Sequence, residues 1–141
     1  MNRFYLSLIV ALLSITTIHA KDEESAGEAT ITFIDSKVHD FGYIPEDGGL
    51  VTCEFEFIND GDAPLVIINA QSSCGCTIPK YTTKPIKPSK KSSIEVSYNP
   101  KMRPGAFKKA IRITTNDPKK HSTLTIIGSV VPAPKKETVE E

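Results

Sequence analysis

The sequence predicts an all-β sandwich of about seven antiparallel strands. Three observations carry that reading. Short runs alternate apolar and polar residues with period two, as half-buried strands of an antiparallel sheet do. Turn-forming clusters separate these runs at roughly the 8–12-residue spacing of a sandwich or barrel. No stretch carries a helical apolar period with caps.

The elements follow in order. Residues 30–34 (Thr-Ile-Thr-Phe-Ile) form a first strand, and residues 38–44 a second short one, ended by Pro45-Glu46-Asp47-Gly48-Gly49. Residues 50–59 form the clearest strand: Val51, Cys53, Phe55 and Phe57 share one face, and Thr52, Glu54 and Glu56 the other. Asn59-Asp60-Gly61-Asp62 is a turn, because Gly reaches positive φ cheaply and Asn and Asp bond their own backbone. The apolar run 65–70 predicts a strand buried on both faces. Residues 79–91, rich in Pro, Lys, Thr and Ser, read as a long connection with at most a short edge strand. Ile94, Val96 and Tyr98 mark the next strand, and residues 106–115 another, with Lys109 in phase with its apolar face and its head reaching for water. Asn116-Asp117-Pro118 turns the chain into a last strand, 123–131. The topology expected of so many short strands in about 100 residues is Ig-like.

Flanking segments are of a different kind. Asn2-Arg3, an apolar run to Ile18, and Ala20 before a charged stretch have the layout of a secretory signal peptide over residues 1–20. The run is shorter than the roughly 20 residues a spanning helix needs, so no membrane span is expected after cleavage. Residues 21–29 read as a flexible acidic leader, 30–131 as the sandwich and 132–141 as a disordered tail. The chain is thus expected in the periplasm or elsewhere in the cell envelope, or secreted.

The formal net charge of +0 hides an asymmetry. Residues 21–62 hold twelve acids against two bases, and residues 80–120 hold twelve bases against two acids. Cross-strand ion pairing within the sheets is the expected use of these charges; docking on an anionic partner or a second copy is the other.

Chemistry concentrates at Ser73-Cys74-Gly75-Cys76-Thr77. Two thiols flanking a glycine can close a small disulfide, shuttle electrons, or hold a soft metal such as Cu(I). A structural role, a redox role and a metal role all stay open for Cys74 and Cys76, although neither His39 nor His121 has a spacing that completes a metal site. Cys53 points inward and is expected to be a free core thiol. His39 and His121 are expected to be exposed beside turns. No hydrolase, zinc-protease, phosphate-binding or dinucleotide motif occurs, so no catalytic residue and no cofactor are nominated. The lysines of the long connection, Lys80, Lys84, Lys87, Lys90 and Lys91, are candidates for an interaction surface, as are exposed sheet edges. They lack interleaved aromatics other than Tyr81, which argues against nucleic acid.

Several of these segments together carry a resemblance. Phe41-Gly42, the run 55–67 (Phe-Glu-Phe-Ile-Asn-Asp-Gly-Asp-Ala-Pro-Leu-Val-Ile), the segment 73–77, Ile86-Lys87-Pro88, 94–98, 105–107 and Thr115-Asn116-Asp117 are similar to the exported bacterial family called domain of unknown function 1573. The resemblance spans about residues 33–131. It implies an extracytoplasmic Ig-like sandwich with no agreed activity and no catalytic residues. The expected function is a non-enzymatic binding or scaffold module of the bacterial envelope, with a protein or envelope component as partner. The alternative is a thiol–disulfide or copper-handling protein acting through Cys74 and Cys76.

Overall fold

The computed structural model describes residues 27–134. The expected signal peptide, most of the leader and the tail beyond Pro134 lie outside the described residues. Among the described residues no helix is long and apolar enough to cross a membrane.

Eight strands form two four-stranded sheets: β1 (Ile31–Phe33), β2 (Val38–Pro45), β3 (Val51–Asn59), β4 (Ile67–Ser72), β5 (Thr77–Lys80), β6 (Lys91–Tyr98), β7 (Gly105–Thr115) and β8 (His121–Val131). One sheet runs β1-β3-β6-β5 and the other β2-β8-β7-β4. These orders match the ABED and CFG sheets of the immunoglobulin sandwich, with β2 added at the outer edge of the second.

The alternation foreseen in β3, β6 and β7 is what builds the core. Phe55 and Phe57 of β3 and Ile94 and Val96 of β6 are buried on the inner face of one sheet, and Ile111 and Ile113 of β7 with Leu124 and Ile126 of β8 on that of the other. Each such side chain contributes roughly 1.5–3 kcal/mol by leaving water. Tyr98 and Phe107 stack across the two sheets with ring centroids 4.1 Å apart. Lys109 is half-buried in the apolar phase of β7, as its position in the pattern required.

Two expectations need correction. The apolar run 65–70 is not a strand buried on both faces: β4 starts at Ile67, a bulge falls between Ile67 and Asn69, and Ile68 is 61% exposed. The strand lies at a sheet edge, where its outer face has nothing to cover it. Nor are all pairings antiparallel, for β2 runs parallel to β8. The chain crosses from one sheet to the other between β1 and β2 without reversing, so one continuous run supplies an edge to each sheet. The eighth strand, where about seven were expected, is β5, a four-residue edge strand that begins just ahead of the segment read as a long connection.

Two buried polar residues fasten one end of the sandwich, here termed the Asn59 pole. Asn59 donates its side-chain amide to the carbonyls of Ala63 (2.8 Å) and Ile86 (2.9 Å), and its Oδ1 accepts from Gly61 N (3.1 Å) and Thr30 N (3.3 Å). Asp117 accepts from Ile31 N (2.9 Å) and Lys119 N (2.7 Å), tying β1 to the β7–β8 turn. The fold begins ahead of β1 at this pole: Ala29 is buried, and the Glu28 carbonyl accepts from Asp62 N at 3.0 Å.

Candidate functional site

Cys74 and Cys76 come together at the opposite pole. They lie in the corner between β4, in one sheet, and β5, in the other, and are joined by a disulfide with Cα atoms 5.3 Å apart. Ser72 Oγ accepts from Cys74 N at 3.3 Å, and Thr77 N closes the turn on the Cys74 carbonyl at 3.4 Å. Gly75 faces open space at the tip. The two sulfurs are not equivalent. Cys74 is half-buried, whereas Cys76 is 4% exposed and belongs to the core. The buried Thr77 hydroxyl lies 3.8 Å from both sulfurs. Of the two residues, Cys74 is the more accessible to solvent.

Cys53 is where the pattern of β3 put it, buried and free. Burial pushes its thiol pKa up to about 11, so it stays protonated and unreactive at neutral pH. Among the described residues no group of three or more His, Cys, Asp or Glu is placed to hold a metal. His39 is half-buried rather than exposed, its ring edge-on to Phe41 with centroids 4.6 Å apart. His121 is exposed, with Nδ1 3.4 Å from the Thr114 hydroxyl.

The five lysines occupy β5, the start of β6 and the connection between them. Lys80 binds Glu95 across the β5–β6 ladder at 3.0 Å; Lys84, Lys87, Lys90 and Lys91 are exposed. The connection is well tied down: Leu65 and Ile86 exchange backbone hydrogen bonds of 2.8 Å, and Ser89 N donates to the Asn59 carbonyl.

Sequence reading missed a cleft of ≈ 540 Å³ at the same pole as the disulfide. Three segments meet there: the β2–β3 turn, the β6–β7 turn and the chain just past β8. Glu46 joins them, with Oε1 accepting from Met102 N and Oε2 from Ala133 N, both at 3.1 Å. Leu50 and Met102 line the cleft while 59% and 82% exposed, and Asp47 and Lys101 stand beside them. Met102 adopts φ 60°, a left-handed conformation rare for a side chain without a short polar group, and the Glu46 bond helps hold it there. The Cys76 carbonyl accepts from Asn99 N at 2.9 Å, and Asn99 lines the cleft, so corner and cleft share a wall. Only the two glycines at 48–49 and the prolines around the β6–β7 turn hinted at it; their proximity depends on topology.

Comparison with known proteins adds the following. A family model described as "Protein of unknown function (DUF1573)" matches residues 31–130. A protein of unknown function from Porphyromonas gingivalis W83 shares the fold with a TM-score of 0.64 at 17% identity, over 79% of this chain and 51% of that one. The secreted serine protease VesC from Vibrio cholerae matches with a TM-score of 0.54 at 15% identity, over 77% of this chain and 25% of that one. The VesB protease from the same organism gives 0.53 at 13%, over 73% and 31%. The chain thus spans about half the length of the first and a smaller part of either protease. At these identities the likeness is one of fold. No curated protein matches in sequence.

Proposed function

The chain belongs to the DUF1573 family, for which no activity is described, and from that premise we propose that it is a non-enzymatic binding or scaffold module working outside the cytoplasm. The observation that carries this reading is the cleft at the disulfide pole. Apolar side chains stand in solvent there, at the end of a rigid sandwich, on turns fastened to one another by Glu46. Loops held by a stiff scaffold are where sandwiches place recognition, and the cleft has the size of a ligand site. The cleft is a better candidate than the sheet edges, which are short or interrupted. Export rests on the leader-like residues 1–20.

A photo-crosslinking residue at position 102, in the full chain expressed in its own cell, tests the cleft. A discrete adduct is expected from position 102, lost when Leu50→Asp is added, and absent when the crosslinker sits at Asp60, exposed in the turn at the Asn59 pole. No adduct, or the same adducts from both positions, overturns the reading. Sequencing the N-terminus of the extracytoplasmic protein tests export: a start near Lys21 is expected, and a full-length chain confined to the cytosol defeats it.

The inequality of the two sulfurs favours one second reading, thiol–disulfide exchange. An external thiolate would attack Cys74 Sγ, the Cys74–Cys76 bond would break, and Cys76 would leave as a thiolate taking up a proton. Thr77 could donate to that leaving sulfur, while burial opposes its charge. Copper handling would need the same bond reduced first, since a thiolate is the ligand. Alkylation mass spectrometry of the protein taken from cells separates the readings: a pair always oxidised supports a structural bridge, and a mixed population supports exchange.

A further inference from the structure

We propose that copies of this chain associate face to back, the acidic outer face of the β1-β3-β6-β5 sheet of one copy lying on the basic outer face of the β2-β8-β7-β4 sheet of the next. The observation behind it is that the charges segregated along the sequence do not neutralise one another in the fold. Among the described residues there is one ion pair, Lys80 with Glu95. Glu54 and Glu56 point outward from β3, a central strand, and have no such partner. Glu54 stands directly opposite Glu95 of β6, a like-charge pairing that costs stability in an isolated sheet. A cation laid on this face relieves it.

The other face supplies cations in the matching place. Lys108 and Arg112 point outward from β7, also a central strand. Their cross-strand neighbours are Ile127 and Thr123 on β8 and Gln71 on β4, so no carboxylate faces them in register. Beside the charge rows stand short hydroxyl residues, Thr52 and Ser93 on one face and Thr114, Thr123 and Thr125 on the other, while exposed apolar side chains, Ile78 on β5 and Val38 and Tyr43 on β2, lie on the edge strands. Lys80, bonded to Glu95, and Lys91 lie on the outer strand and at the end of the acidic face, and Asp40 lies on the outer strand of the basic one, all away from the central Glu54–Glu56 and Lys108–Arg112 rows.

The two surfaces differ, so the contact is heterologous and does not close on itself; it yields open stacks. The smaller face, that of the β1-β3-β6-β5 sheet, has strands of three, nine, eight and four residues about 4.8 Å apart and offers on the order of 400 Å². A contact burying about 800 Å² in total falls at the weak end of specific interfaces. Association is therefore expected to be reversible and strongly screened by salt. It uses the faces of the sandwich and stands whether or not the cleft takes a ligand.

Sedimentation velocity of the purified protein over a concentration series tests it, at about 20 mM and about 300 mM salt, conditions in which the Debye length differs several-fold. Concentration-dependent growth is expected at low salt, weakened about tenfold or more at high salt. The double variants Glu54→Lys/Glu56→Lys and Lys108→Glu/Arg112→Glu should each be monomeric alone. Mixed one to one they should associate again, because every acidic face then meets a basic one. All four sites are exposed strand positions, and circular dichroism checks that both variants fold. A monomeric wild type at low salt overturns the proposal. So does loss of assembly in only one of the two variants, which would mean that the assembly uses a different pairing of surfaces. Failure of the mixture to assemble overturns it as well.

Discussion

Asn59 shows how much a single side chain can organise. It is fully buried, and it satisfies its own amide on the carbonyls of Ala63 and Ile86 while accepting from Gly61 and Thr30. Replacing it with Ala strips buried partners of their hydrogen bonds, at about 1–3 kcal/mol for each group left unsatisfied. Asn59→Ala should therefore lower unfolding stability by at least about 2 kcal/mol in urea titration, whereas Asp60→Ala in the same turn should be close to neutral. The sequence marked Asn59 as a turn residue. Its wiring to Thr30 and Ile86 was not legible, because those partners lie 29 and 27 positions away. Cys53 was legible in full, since the alternation of β3 leaves it no other face. Its titration has a defined sign. Burial raises the folded-state pKa to about 11 from 9.0, so the thiol favours the fold below pH 9, and that contribution is lost as the pH climbs from 9 through 11. Tyr98, raised chiefly by burial with Arg103 opposing, loses stability in the same direction. Cys53→Ala should flatten part of the alkaline decline in melting temperature. An unchanged decline would remove Cys53 from the account.

At the level of elements, the four edge strands share a design. β1 is three residues long, β5 is four with Pro79 inside it, and β2 and β4 are each broken by a bulge. Gly42 makes the β2 bulge possible at φ 65°. Short, kinked or proline-bearing edges offer a poor template for another strand. Pro79→Thr should leave the fold intact while raising aggregation on storage, followed by light scattering; equal scattering would show that β5 is guarded by something else. The disulfide corner is a local device. Its ring is so short that chain-entropy arguments allow only about 1–2 kcal/mol. Cys74→Ala/Cys76→Ala should fold, with faster amide exchange confined to the β4–β5 corner and to Asn99, which is bonded to the Cys76 carbonyl. Strands with alternation (β3, β6, β7) were legible because one face meets the core and the other meets water. β4 was not, because a continuous apolar run does not say which of its residues a bulge will turn outward. The parallel pairing of β2 was hidden for a related reason: period two reports a face, and carries no information about a partner's direction.

Taken as a whole, the molecule has two dissimilar poles. One is closed by Asn59 and Asp117; the other holds the cleft, the disulfide and the Glu46 clamp. Glu46→Ala should release that second pole without unfolding the first. Amides of Met102 and Ala133 should then exchange at least about tenfold faster while those of the core strands stay protected. Uniform acceleration would mean that Glu46 supports the entire sandwich. Of the candidate site, the Cys-Gly-Cys corner was visible in the sequence as local chemistry. The cleft was not, because Glu46, Met102 and Ala133 are brought together only by the sheet order.

The described chain comes in beside Asp62 at the Asn59 pole and leaves past Ala133 at the cleft. A domain whose ends lie side by side hangs from a polypeptide as a pendant and adds little to its reach. This one is threaded in series. Its longest strands, eleven residues each, give it a length of roughly 37 Å. Placed within a longer polypeptide, each such bead would extend the contour by nearly 4 nm and transmit tension along its strands, with the cleft always on the downstream side.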